Sequence, residues 1–255
     1  ASGVTNYDSG TTATRPAAST GGPTTSAAAT KHTVLITDVG SDWGRALAER
    51  LMALGHTILG GVATQERAAE LRQSWDSPHR IDVCNVADDQ QVSHWSRHLH
   101  SSGPIPDVLL NTAVHSHSPT PIWKIPQDTF SEVLQTNLVG TANVLRHFVP
   151  LMLPHPPGMI VNFRAHKPQS DGKTGASSAS GWGIEGLTRV LVEEVPPKFT
   201  CVTLALGRNG ETPPDDSPAG NSHLEEWAAV AADFILKISR SDHGESLTIP
   251  HTGAS

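Results

Sequence analysis

The stretch HTVLITDVGSDWGRALAERLMALGHTILGGVAT, His32 to Thr64, decides the fold. Its opening run, Thr33–Thr37, is apolar and β-branched without polar alternation, which suits a strand buried on both faces. A short polar turn follows. Trp43, Ala46, Leu47, Leu51 and Leu54 then recur at helical spacing, Gly55 stops the helix, and His56–Val62 resumes an apolar β run. Two strands joined by a helix run in the same direction, so this stretch predicts a parallel β-α-β unit.

The alternation continues outward. Arg80–Val83, Asp107–Asn111, Met159–Phe163 and Thr200–Leu206 read as further strands, and Leu247–Ile249 as one that closes the sheet. Phe130, Val133, Leu134, Leu138, Val144, Leu145 and Phe148 mark a long helix, a second runs from about Ala176 to Glu194, and a last from about Leu224 to Ile238. The fold class is therefore α/β, a single doubly wound parallel sheet over 31–255, and 255 residues suit one such domain. Arg208–Ser222 is polar and rich in Pro and Gly, at the position of a mobile substrate lid. Ala1–Thr30, rich in Ser, Thr, Ala and Gly, buries too little apolar surface to offset its ordering entropy and is expected to be a disordered tail.

Composition narrows the function. The net charge is −7 and basic residues are scattered, which argues against nucleic acid. No apolar run approaches the roughly 20 residues of a transmembrane segment. Cys84 and Cys201 have no pairing pattern and suit free thiols in a reducing compartment, not secretion. The acid-poor first thirty residues favour an organelle interior over the cytosol.

The ordered set TDVGSDWGRA (37–46), DV (82–83), NTAV (111–114), TNLVG (136–140), IVNF (160–163) and SSASG (177–181) resembles the short-chain dehydrogenase/reductase family from about Lys31 to Ile249. The resemblance implies a Rossmann-like sheet and a dinucleotide crevice lined by Thr37, Gly40, Gly44, Asp82, Asn111 and Thr212. It also shows departures. Where the family turn reads T-G-x-x-x-G-x-G, the first two glycine positions are Asp38 and Asp42, and Gly44 remains. Asp42 is expected to cap the following helix and fill the anion site. A carboxylate about 5 Å from a phosphate charge costs roughly 3 kcal/mol at an effective dielectric near 20. Gly60-Gly61-Val62-Ala63 carries no residue for the ribose hydroxyls; Arg67 is the nearest cation and is expected on a solvated helix face. Val114 replaces a glycine beside the cofactor.

The family's catalytic serine, tyrosine and lysine fall by this resemblance on Ala165, Ser177 and Gly181, and only Asn137 is kept. The chain's single tyrosine, Tyr7, lies in the tail. His115, His117, Arg164, His166 and Lys167 follow the fourth and fifth strands and form an alternative acid–base or anion group, without ligand spacing for a metal.

The expectation from these losses is a catalytically inactive protein with no bound cofactor. It would act as a structural or interaction subunit and pair with itself or another protein through helices 130–152 and 176–194, where Ala176, Ala179, Gly183 and Gly186 permit close approach. Two alternatives stay open: a non-redox enzyme in the old substrate cleft, and a residual NAD(P)-dependent oxidoreductase or nucleotide sensor.

Overall fold

The structure, a computed structural model, describes residues 30–164, 174–206 and 220–250. From Lys31 onward the elements are β1 (Thr33–Ile36), α1 (Asp42–Ala53), β2 (Thr57–Val62), α2 (Gln65–Arg72), β3 (Arg80–Val83), α3 (Asp89–Ser102) and β4 (Val108–Asn111). Then come α4 (Gln127–Leu134), a π-helical turn (Gln135–Val139), α5 (Gly140–Met152), β5 (Gly158–Arg164), α6 (Gly175–Glu194), β6 (Phe199–Ala205), α7 (Gly220–Leu236) and β7 (Ser246–Thr248).

Every strand pair is parallel, and the order across the sheet is β3-β2-β1-β4-β5-β6-β7. The chain enters mid-sheet, winds out to β3, crosses back over β1 to β4 and winds to the other edge. This is the doubly wound sheet that the alternating pattern predicts. Winding reverses between β1 and β4, so the loops leaving their carboxyl ends diverge and open a crevice.

Strand residues feed two apolar layers by simple alternation. Val34 and Ile36 pack with Leu47 and Leu51 of α1 and Ala231 and Ile235 of α7. Leu35 packs on the opposite face with Trp95 of α3 and Phe148 of α5. Gly60 and Gly61 let both layers close on β2. A Cβ at Gly60 would lie 2.7 Å from Val39 Cγ2, and one at Gly61 would lie 2.8 Å from Trp95 Cη2. Gly55, at φ +90°, turns the chain from α1 into β2, a conformation that a side chain would strain.

The long helix read from Phe130 to Phe148 forms, but not uniformly. Between α4 and α5 it widens into the π turn, and Asn137 sits buried inside that turn. The histidine-rich composition also finds a structural use. Nδ1 of His56, His79 and His243 accepts the backbone amides of His32, Ile58 and Cys201 at 3.0, 3.2 and 3.1 Å.

Gly183 corrects one expectation about the helix surfaces. A Cβ there would lie 2.8 Å from Leu138 Cδ1, so this glycine serves the packing of α6 on the π turn of its own chain. Gly186 has nothing within 4 Å.

Candidate functional site

The crevice is braced by one hydroxyl. Thr37, at the end of β1, accepts hydrogen bonds at Oγ1 from the amides of Thr112 and Ala113 in the loop after β4, at 2.9 and 3.1 Å. Thr112 returns the tie, its Oγ1 accepting the Asp38 amide at 3.0 Å. Two loops that leave neighbouring strands in different directions are thereby held at a fixed separation.

The turn from β1 into α1 differs from the sequence reading. Ser41, not Asp42, is the N-cap: its hydroxyl accepts the Gly44 amide at 3.3 Å. Asp42 is the first helical residue and pairs with Arg67 at 3.6 Å. The carboxylate that takes turn amides is Asp38, whose Oδ1 accepts from Gly40 at 2.8 Å and Ser41 at 3.3 Å. Desolvation pushes the Asp38 carboxyl above its ordinary range, against the pull of those amides and of the Arg67 charge. The signal was present in the sequence: in Asp38-Val39-Gly40-Ser41 a carboxylate reaches amides two and three residues on, an Asx turn. Gly44 is required here, because a Cβ would fall 2.0 Å from the Asp38 carbonyl oxygen.

Arg67 is likewise not on a solvated face. Its Nε donates to the Gly40 carbonyl at 2.9 Å and its Nη1 to Glu70, and the side chain is about a quarter exposed. A helix that starts at the carboxyl end of β2 carries its first basic residue back against the β1–α1 turn. Sequence reading missed this because the contact crosses two elements.

Asn137 is the hub of the other wall. Its Oδ1 accepts the His115 amide at 2.6 Å, and its Nδ2 donates to the His115 carbonyl at 2.8 Å and to Ser180 Oγ at 3.1 Å. Ser180 in turn donates to the Ser177 carbonyl at 2.9 Å. Ser177 and Gly181 are buried on α6. The segment after β4 is tied to the start of α6 by a bridge between Thr120 and Thr174.

The remaining candidates disperse. Asn111 donates to Asn162, which donates to Thr188 of α6, so it belongs to a buried relay between strands and helix. Asp82 accepts from Trp95 Nε1 at 3.1 Å. Arg164 is buried and donates to Ser246 of β7. His117 Nδ1 bonds the Ser118 carbonyl, and the exposed His115 ring lies 3.9 Å from Glu132. Ala165, His166, Lys167 and Thr212, with most of the proposed lid, lie outside the described residues.

Residues 32–210 match the short chain dehydrogenase pattern. The chain belongs to the short chain dehydrogenase family. This short chain dehydrogenase is similar to an NADPH-dependent pterin aldehyde reductase of Arabidopsis thaliana, 36% identical over 230 residues that cover 86% of this chain and 93% of that one. It is 30% identical over 185 residues to a 2-dehydro-3-deoxy-L-rhamnonate dehydrogenase (NAD(+)) of Sphingomonas sp. (strain SKA58), covering 70% of this chain and 72% of the other. Among solved structures, a gluconate 5-dehydrogenase of Burkholderia cenocepacia J2315 in complex with NADP and tartrate superposes with a TM-score of 0.70 at 21% identity, over 86% of this chain and 93% of that one. An NAD+-bound xylitol dehydrogenase superposes at 0.70 with 20% identity, over 86% and 97%. Both share the fold.

These relatives overturn two expectations: an inactive structural subunit, with its non-redox alternative, and the loss of the dinucleotide. A relative named as an NADPH-dependent reductase is matched over nearly its whole length. The physical reason lies in the turn. Asp42, the chief obstacle in the sequence reading, is drawn off by Arg67, while Thr37, Gly40, Gly44 and Asn137 hold the crevice framework.

Proposed function

We propose that this chain is an NADP(H)-dependent oxidoreductase that reduces an aldehyde on a small heteroaromatic molecule of the pterin class. The observation that carries this reading is the 36% identity to the pterin aldehyde reductase across 93% of that relative. The site fits a dinucleotide in three respects. The crevice lies where strand winding reverses, Gly40 and Gly44 add no side chain of their own to the β1–α1 turn, and Arg67 sets a cation beside that turn at the end of β2, where an NADP ribose phosphate would lie.

When bound, the reduced dinucleotide supplies a hydride. The chain's own residues do the rest. Thr37 fixes the two loops that flank the crevice, and Asn137 fixes the His115 backbone and the start of α6. Ser177, Gly181 and Ala165 stand where the resemblance places the family tyrosine, lysine and serine. The proton for the product alcohol is then drawn from solvent. Loss of a positioned acid lowers a rate by about 10²–10⁴, so a slow reductase is expected, with no tyrosine inflection in its pH profile.

The test is NADPH oxidation by the purified chain with a pterin aldehyde, followed by absorbance. Turnover faster with NADPH than with NADH, and a preference erased in Arg67→Ala, is the expected result. No dinucleotide binding at millimolar concentration, and no turnover over many hours, would refute the reading.

Self-association through α6 is proposed as well, supported by Trp182 and Val190, 58% and 57% exposed on that helix. Sedimentation of Trp182→Glu should show a smaller species than the parent; an unchanged mass would exclude this face.

A further inference from the structure

The β1–α1 turn carries an anion of its own. Asp38 Oδ1 holds the Gly40 and Ser41 amides, and the Ser41 hydroxyl holds the Gly44 amide. The carboxylate packs directly over the glycine: a Cβ at Gly40 would lie 3.0 Å from Asp38 Oδ1. Backbone amides at a helix start in a crevice of this kind are the groups that receive phosphate oxygens. Here those of Gly40 and Ser41 are already committed to a charged acceptor from two and three residues back.

We propose that Asp38 is an internal competitor for the dinucleotide pyrophosphate, which enters only when the carboxylate releases the turn amides, in an exchange tied to proton uptake. The proposal rests on the cofactor reading above and sets the affinity of that same site. The Asp38 backbone cannot leave, because its amide is bonded to Thr112 Oγ1 and its carbonyl accepts from the same hydroxyl. Release is therefore a side-chain rotation that leaves the turn standing.

The charged groups facing the turn are Asp42 from α1 and Arg67 from α2, with Glu70 behind the guanidinium. The β4 loop presents Thr112, which does not titrate. Desolvation already favours the neutral Asp38 carboxyl, and an arriving pyrophosphate acts in the same direction. The bound state thus carries more protons than the free one, and affinity must rise as pH falls.

The experiment is calorimetric titration of the full chain and of Asp38→Asn with NADPH at pH 6, 7 and 8, in two buffers of different ionisation enthalpy. Asparagine keeps the acceptor oxygen and the turn while removing the charge; Asp38→Ser is a second variant in case the first is unstable. Adenosine 2′-monophosphate, which has no pyrophosphate, serves as control. Removal of a like charge at about 5 Å is expected to tighten NADPH binding at pH 8 by roughly ten- to a hundredfold after solvent screening. The control ligand should bind both proteins alike, and proton uptake should be seen with the parent protein alone. Equal NADPH affinity within twofold, with the same pH slope, would overturn the role of Asp38 and leave the cofactor reading standing. If parent, Asp38→Asn and Asp38→Ser all fail to bind NADPH, both fall together.

Discussion

Replacing Asn137 by alanine should unsettle the site wall and the fold at once. The side chain is almost fully buried and makes three hydrogen bonds, two of them to the His115 backbone. A buried polar partner left unsatisfied costs about 1–3 kcal/mol. The His115 side chain is exposed, so water relieves part of the loss at its backbone, whereas Ser180 is sealed. The sum is about 3 kcal/mol. For a domain of this size each kcal/mol moves the midpoint by about 2–4 °C, so Asn137→Ala should melt about 6–12 °C lower. Asn137→Asp refines the argument. One carboxylate oxygen still accepts the His115 amide, but the other meets the His115 carbonyl, acceptor against acceptor. The folded carboxyl pKa is then raised above its unfolded value. The variant should approach parental stability below the unfolded carboxyl range and lose it as pH rises through that range, with the full loss above the folded pKa. Thermal melts followed by circular dichroism from pH 3.5 to 8 read both effects. An alanine variant within 1 °C or so of the parent, or a pH-independent aspartate variant, would show that this hub does not hold the wall.

Three further outcomes follow from the same geometry. Gly44→Ala places a methyl group 2.0 Å from the Asp38 carbonyl oxygen, so the start of α1 must shift; a loss of at least about 3 kcal/mol in urea unfolding is expected, and a neutral result would contradict the turn geometry. His56, His79 and His243 accept backbone amides at Nδ1, and desolvation holds each of them below the ordinary histidine range. Their contribution is fully present above the unfolded histidine pKa and is lost as pH falls through the folded values, so the urea midpoint should drop between pH 7.5 and 5.5; a flat profile would be against it. Burial raises the Cys84 and Cys201 thiols to about 12, so alkylation at pH 8 should be negligible in the native protein and rapid in urea, as measured by mass.

The sequence by itself determined the architecture. Apolar β runs alternating with helical periodicity can bury their faces only in a sheet covered on both sides, and Thr33–Thr37 followed by the Trp43–Leu54 pattern already forces a parallel start. It also singled out Thr37, Gly44 and Asn137, because each sits in a short motif of the resemblance. Tertiary structure alone decided what charges and small residues do. Asp38 and Asp42 look equivalent as two lost glycines, yet one folds back on its own turn and the other meets an arginine from α2. Gly183 suggests an interface until Leu138 is found against it, and Asn111 also donates to Asn162, a partner from β5 that its own motif does not reveal. Periodicity is a local property that burial enforces element by element. The partner of a charge or the neighbour of a glycine is set by which elements the winding of the sheet brings together, and no spacing along the chain encodes that distance.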